Sequence, residues 1–319
     1  MLTKAHRHPN SEEFDLCIRA AWLHYGGGLT QGEVARRLGI PSLKAHRLIA
    51  RANRDGLVQF SIDGDISECV QLEEAVRRRY GIAFCEVCPD LDDEPLPLRT
   101  LGMAGSRFLR RVLESGEDKV IGFGHGRTLA ACVAMLPTMS AEGVKLVSLL
   151  GGLTRRNATT PFDVIHRLAA RTGAETYVLP LPFYANSVED RAVFMAQRGV
   201  LEVMQLGISA TLRVVGIGTM EPDASTVSTG MIEREDVEAA RRAGGVAEVL
   251  GHIFGATGKL IENDLSARTL SMSAADIGTQ KTVALAGGRS KIDAIRAVLA
   301  SGLLHGIIMD ERTARTLTA

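Results

Sequence analysis

From residue 81 onward, short apolar runs alternate with amphipathic stretches, and several of the apolar runs end in glycine. Candidate strands are 82–87, 119–123, 145–150, 176–181, 213–217, 282–286 and 306–309. Helices are expected near 99–115, 127–136, 162–172, 188–205, 233–242 and 291–301. This alternation predicts an α/β fold with a doubly wound parallel sheet covered on both faces. In such sheets ligands gather beyond the carboxyl ends of the strands. Glycine there lets the backbone approach a ligand, and helix N-termini favour anions. The glycine-terminated segments are GFGHGRT, LLGGLT, GIGT and LAGGRSK.

The first of these loops contains Gly122, Gly124, His125, Gly126, Arg127 and Thr128. Its N–H groups, the Thr128 hydroxyl and the Arg127 guanidinium can hold phosphate or hydroxyl oxygens. A tight turn with no ligand is the alternative. The loop matches GxGxxG only loosely, since Thr128 follows Arg127 where the last glycine would be, which argues against a dinucleotide site. No cofactor is expected. In the last loop Lys291 falls in the first turn of a helix, an unfavourable place for a cation. A bound anion or hydroxyl-rich ligand would explain it.

The first 60 residues have a different character. They hold nine Lys/Arg against five Asp/Glu, a surplus of +4 in a chain whose net charge is zero. Residues 11–25 read as a helix capped by Ser11, with Phe14, Cys17, Ile18, Ala21, Trp22 and Tyr25 on one stripe. Thr30 and Glu33 then form a capping box for a short helix that begins at Gln31 and ends at Gly39. Ser42 is expected to cap the following helix, with Leu43, Leu48, Ile49 and Ala52 inward. Its outward cations include Lys44, His46, Arg47, Arg51 and Arg54. Two short helices joined by a tight turn predict a helix-turn-helix, whose second helix could enter a major groove. Thr30, Gln31, Ser42, Lys44, His46, Arg47 and Arg51 are the candidate DNA contacts. Residues 57–62 alternate like a strand and could form a short wing. The expected domains are therefore 1–62, binding DNA, and 63–319, binding an effector. A charged helix at 65–80, with Val70, Leu72, Ala75 and Val76 inward, could link the two.

Five widely spread cysteines argue against a disulfide scaffold and suit a reducing cytoplasm. Cys85 and Cys88 form a CxxC without further ligands nearby, so a metal site is not expected. The segment MLTKAHRHPN has no apolar core of a secretory signal, and no run of ~18 uncharged apolar residues exists. A cytoplasmic protein with no membrane contact is expected.

The segments LTQGEVARRLGIPSLKAHRLIARANRDGLV, VIGFGHGRTLA, VSLLGGL, VLPLPFYANS, VVGIGT, GGVAEVLGHIFGATG and VALAGGRSKIDAIRAVLASGLLHGIIMDE occur in a specific order and spacing. In these the chain resembles the SorC family of sugar-responsive bacterial transcription regulators, across nearly its whole length. GHGRTL and PLPFYANS resemble a subgroup that regulates the catabolism of erythritol or related polyols. The resemblance implies a DNA-binding head, acting as a repressor or activator on operator DNA. It implies an effector domain similar in fold to sugar-phosphate isomerases and glucosamine-phosphate deaminases. It also implies a homo-oligomer, a dimer or more usually a tetramer, gated by a small sugar, polyol or sugar-phosphate. Effector contacts carry over to the 122–128 loop, to Glu248 and to Lys291. His252 follows the family's acidic helix position and is either a pocket residue or plain helix surface. Arg127 and Lys291 favour a phosphorylated ligand, whereas His125 and His252 would suit an uncharged one.

An enzyme of the isomerase or deaminase class is the competing reading. It would need a positioned acid–base pair, drawn from Glu221, Asp223, Glu248 and His252. Spacing alone assembles no such pair, and a basic head has no purpose in a simple isomerase.

Overall fold

The computed structural model describes residues 11–55, 57–58, 66–91, 96–152, 164–222, 224, 227 and 230–319. The chain divides into two units, Met1–Ile62 and Asp63–Ala319.

In the first unit, helix α1 (Ser11–Ala21) runs into a single π-helical turn, Trp22–Gly26, and is followed by α2 (Gln31–Leu38) and α3 (Ser42–Arg54). The capping box forms: the Glu33 N–H donates to the Thr30 hydroxyl, and the Glu33 carboxylate accepts from the Thr30 N–H. Gly39 closes α2 at φ 63°, its N–H donating to the Ala35 and Arg36 carbonyls. Cys17, Ala20, Val34, Ala45, Leu48, Ile49 and Ala52 form the core of this unit.

Several inward assignments are corrected. Leu43 is 62% exposed, because it lies two positions from buried Ala45 and so on the far side of α3. Ile18 and Trp22 are also exposed. The inward face of α1 is Cys17, Ala20 and Ala21, and the π turn brings Leu23 and Tyr25 onto the core in place of Trp22. Ser42 is the first residue of α3 rather than its cap. Pro41 holds the cap position with extended backbone (φ −60°, ψ 145°). Val58 packs on the core, Leu57 and Val58 carry no strand, and residues 59–62 of the expected wing lie outside the described residues.

The second unit opens with α4 (Ser67–Tyr80). Seven strands follow: β1 (Phe84–Cys88), β2 (Val120–Phe123), β3 (Lys145–Gly152), β4 (Glu175–Pro182), β5 (Leu212–Gly216), β10 (Lys281–Leu285) and β11 (Gly306–Asp310). They make one parallel sheet in the order β1-β11-β10-β5-β2-β3-β4. Each overlaps one of the strands expected from the sequence. One face is covered by α5 (Leu98–Ser115), α6 (Arg127–Met135) and α7 (Ile165–Thr172), which bury Leu101, Leu109, Leu129 and Leu168. The opposite face carries α4, α9 (Arg198–Ser209), α13 (Ile292–Ala300) and α14 (Glu311–Thr318). The expected helix at 188–205 is two helices, α8 (Val188–Met195) and α9, separated at Ala196 and Gln197 with no Gly or Pro to mark the break.

Helix α4 is not a free linker. Its Cys69 and Val76 are buried in the same core as Ala314 and Leu317 of α14, and the Tyr80 hydroxyl donates to the Leu317 carbonyl at 3.3 Å. Val70, expected inward, is exposed.

A second, antiparallel sheet was not legible from the sequence. It consists of β6 (Gly218–Thr219), β7 (Gly245–Val249), β8 (His252–Gly255) and β9 (Leu260–Ile261), paired in that order. The segment VAEVLGH, expected to be helical, is therefore a β-hairpin. Helix α10 (Arg234–Arg242) precedes it, and the short helices α11 (Asp264–Ala267) and α12 (Ala274–Ile277) follow.

Arg213 on β5 is fully buried and has no acidic partner among the described ion pairs. Its guanidinium donates to the carbonyls of Ile208 (2.8 Å) and Ile277 (3.1 Å), at the last turns of α9 and α12. Helix C-termini carry unsatisfied carbonyls and partial negative charge, so the cation joins two helix ends to the sheet. Arg213→Ala orphans these carbonyls and opens a cavity. We expect a loss of about 3 kcal/mol in denaturant unfolding, with wild-type stability sinking this assignment.

Candidate functional site

Strand order reverses between β2 and β5. From β2 the chain moves outward to β3 and β4, and from β5 it moves the other way to β10 and β11. A crevice opens at such a point beyond the carboxyl ends. A pocket lies there, lined by His125–Leu129 after β2, Gly216–Thr219 after β5, Ala224, Glu248 and Leu250 from the hairpin, and Lys291 after β10.

Helix α6 starts at the pocket. Gly126 is its N-cap (φ 127°) and offers no capping side chain. The N–H groups of Arg127, Thr128 and Leu129 occupy the first turn, where helical donors lack intrahelical partners. Thr128 is buried and Arg127 is exposed. His125 packs edge-on against Phe183, with centroids 5.1 Å apart and planes at 77°. Its Nδ1 is buried without a hydrogen-bond partner. Burial lowers its pKa to about 4, so the ring is neutral at physiological pH.

Glu248 sits on β7 opposite Gly218 and is 7% exposed. A Cβ at position 218 would lie 2.6 Å from its Oε2, so any larger residue there would push this carboxylate aside. Its Oε1 accepts the Gly251 N–H. Burial pushes the carboxyl pKa up, opposed by that hydrogen bond and by the Lys291 charge. The two-residue turn between β7 and β8 places Leu250 at φ 52° and Gly251 at φ 83°, the primed geometry that matches strand twist. A left-handed leucine costs ~1–2 kcal/mol. The turn is held in place by the Glu248–Gly251 bond and by Ser271, whose hydroxyl donates to the Leu250 carbonyl at 2.7 Å.

Lys291 also lines the pocket, and its ammonium donates to the Ile217 carbonyl at 2.6 Å. Burial and then the neighbouring Arg127 charge lower its pKa to about 8, with Glu248 acting in the other direction. The pocket therefore combines two cations, a buried carboxylate, a neutral imidazole and an uncapped helix N-terminus. This set suits a ligand rich in hydroxyls, with or without an anionic end.

Not every expected residue reaches the pocket. Gly122 lies inside β2, where a Cβ would meet Leu149 at 2.5 Å; it serves packing. Gly124 is buried, and its N–H donates to the Val214 carbonyl at 2.8 Å. His252 starts β8, and its Nε2 hydrogen-bonds the Met272 carbonyl at 2.6 Å, so neither the pocket nor the helix-surface reading holds. Ile217, Gly218, Thr219 and Leu250 line the pocket but were not singled out from the sequence. The strand-ending glycine in GIGT was the available signal for the first three.

In the first unit, Ser42, Lys44, His46 and Arg47 are exposed on α3, and Gln31 is exposed at the start of α2. The Thr30 hydroxyl is engaged by Glu33 at 2.7 Å. Arg51 pairs with Asp55 at 3.1 Å and Glu13 at 3.5 Å, inside its own unit. Cys85 and Cys88 are buried thiols; burial pushes Cys88 up to about 12. Among the described residues, no cluster could hold a metal ion, and no helix is long and apolar enough to cross a membrane.

The chain thus combines a small helical unit carrying a basic outer helix with a parallel α/β unit carrying a polar switch-point pocket. Residues 64–319 match the family described as "Putative sugar-binding domain". The chain belongs to the SorC family of sugar-binding transcriptional regulators, and it is a sugar-responsive operon regulator. It is 54% identical over 302 residues to the erythritol catabolism regulatory protein EryD of Brucella abortus (strain 2308), covering 95% of this chain and 96% of that one. It is 31% identical to the transcriptional regulator LsrR of Enterobacter sp. (strain 638), covering 96% and 94%. The full-length sorbitol operon regulator SorC of Klebsiella pneumoniae superposes with a TM-score of 0.71 at 23% identity, covering 97% and 100%, a likeness of fold.

The His125 environment makes a direct prediction. Its ring resonances should titrate near pH 4 and stay constant between pH 5 and 8. A midpoint near 6.5 in an NMR titration would show the ring to be solvated instead.

Proposed function

We propose that residues 1–62 bind operator DNA and that the switch-point pocket of residues 63–319 binds a short polyol or sugar of the erythritol class, which changes operator affinity. Ser42, Lys44, His46 and Arg47 lie toward base edges, while Gln31 and the neighbouring cations approach phosphates. The protein acts as a homo-oligomer, dimer or tetramer, so that paired heads read paired half-sites. The 54% identity to the Brucella erythritol regulator supports the ligand class.

The observation that carries the effector reading is that the buried, partnerless Nδ1 of His125 and the buried carboxylate of Glu248 line one pocket. Both are suited to hydroxyl groups. A phosphate at one end of the ligand would meet Arg127, Lys291 and the first turn of α6. These cations favour the phosphorylated form.

The same geometry speaks for a regulator over an isomerase. Glu248 is bound by the Gly251 N–H and His252 by the Met272 carbonyl. Glu221 is exposed and paired with Arg241 at 3.4 Å. Asp223 lies outside the described residues. No two of the described candidates form an acid–base pair.

Calorimetry with erythritol and its phosphate tests the ligand class. Binding of the phosphate should weaken as pH rises through about 8, because Lys291 loses its proton there. Binding of the free polyol should change little. If neither ligand binds, the effector reading fails. Lys291→Ala should retain operator binding and lose the ligand response; the reverse pattern would make Lys291 structural. Arg47→Ala should cost ~1–3 kcal/mol in operator binding and relax preference at one base. Unchanged affinity and specificity would remove Arg47 from the interface.

A further inference from the structure

Lys291 reaches the pocket from a turn that is anchored elsewhere. The Gly288 backbone (φ 100°, ψ 149°) adopts a conformation open chiefly to glycine. Its N–H donates both to Asp310 Oδ2 and to the Thr313 hydroxyl, each at 2.9 Å. The Thr313 hydroxyl donates to the same Oδ2 at 2.6 Å, and the Thr313 N–H donates to Oδ1 at 3.0 Å. Asp310 is 2% exposed and Thr313 is fully buried. A Cβ on Gly287 would fall 2.1 Å from Asp310 Oδ2, so the turn lies directly on this carboxylate. From Gly288 a single 3₁₀ turn, closed by the Lys291 N–H to the Gly288 carbonyl at 2.9 Å, carries the chain to Lys291.

The same two residues cap α14. Asp310 is its N-cap, and Thr313 supplies the N–H that the cap accepts. Ala314 and Leu317 of α14 share a core with Cys69 and Val76 of α4, the first helix described after the 1–62 unit. A buried hydrogen-bonded cluster has few alternative arrangements, because each member broken leaves an unsatisfied group. A shift of the Lys291 turn therefore has to be accommodated at the start of α14.

We propose that Asp310 and Thr313 are positioning residues for the pocket: they fix the turn that carries Lys291 and, because they also cap α14, link the state of that turn to α14 and α4. This rests on the effector reading of the pocket. It gives a ligand contact at Lys291 a mechanical connection to the segment that leads to the DNA-binding unit.

The test uses the full chain with Thr313→Val, which keeps the shape and removes the hydroxyl, and Thr313→Ser, which keeps the hydroxyl. The ligand-free readout is the pH profile of Lys291 acetylation, followed by mass spectrometry. Wild type should show a midpoint near 8. In T313V the loosened amine should move about one unit toward the ordinary lysine value, while T313S should follow wild type. Ligand titrations use erythritol and erythritol phosphate. T313V should need about tenfold more ligand than T313S to change operator binding. A T313V protein that titrates and responds like wild type overturns the proposal, as does a T313S protein that fails like T313V. If T313V does not fold, Thr313→Ala against Thr313→Ser isolates the hydroxyl in the same measurements. Wild type that binds neither ligand counts against the effector reading alone, since the acetylation profile still decides whether Thr313 positions Lys291.

Discussion

Burial of the parallel sheet on both faces confines polar chemistry to its edges. The seven strands of this sheet present mostly apolar residues to two helical layers, and a polar group left there without hydrogen bonds is costly. The carboxyl edge is where loops leave the sheet, and among the described strands the order reverses between β2 and β5. There the following segments part to opposite sides and leave a crevice. His125–Leu129, Gly216–Thr219 and Lys291 meet because β2, β5 and β10 are neighbours in the sheet, although they are far apart in the chain. The second sheet closes the crevice by bringing Glu248 opposite Gly218.

Two cations, Arg213 fully buried and Lys291 partly so, illustrate how differently this frame treats charge. Arg213 is enclosed within the domain, and both of its terminal nitrogens donate to carbonyls at helix ends, an arrangement that suits the forked donors of guanidinium. It reads as structure. Lys291 sits at the mouth, with one carbonyl acceptor, a neighbouring Arg127 and a carboxylate close enough to influence it. Its lowered pKa records a positive charge that the pocket compensates only in part. A structural cation gains nothing from such an arrangement, whereas a ligand that brings acceptors gains directly.

Much of this was legible in the sequence for physical reasons. Seven apolar runs separated by helix-length segments leave few alternatives to a parallel sheet, and Thr30, Glu33 and Gly39 carry the capping chemistry of α2 in their side chains and backbone freedom. The loop after β2 was legible because glycine is the cheapest residue at a close approach. The failures follow from tertiary effects. Leu43 and Trp22 are large and apolar, yet face outward, since α1 and α3 meet through the small residues Cys17, Ala20, Ala45 and Ala52. The hairpin at 245–255 was missed because VAEVLGH has helix-compatible composition. The antiparallel pairing of β7 with β6 and β8 decides its conformation, and local propensity does not report that pairing. His252 was misplaced with it. Asp310 and Thr313 gave no functional signal, as their partner Gly288 is more than twenty residues away.

If the effector is the short polyol proposed above, its size explains why a regulator of this kind needs buried polar groups rather than a larger apolar cavity. Driving a two-state equilibrium from 1:99 to 99:1 requires ~5.5 kcal/mol of differential binding. A four-carbon polyol has only about eight heavy atoms, and ~1.5 kcal/mol per atom is the ceiling for the best small ligands. Close to half of its largest attainable binding energy must therefore distinguish the two states. Apolar contacts of so small a molecule cannot supply that share, because each buried methylene contributes only ~0.8 kcal/mol. Hydrogen bonds to charged groups contribute ~1.5–3 kcal/mol each, so two or three of them, made in one state and broken in the other, are sufficient. On the proposed effector reading, Glu248 and Lys291 are such groups, and their placement on separate structural elements, β7 and the turn before α13, lets a small movement between those elements make or break the contacts together.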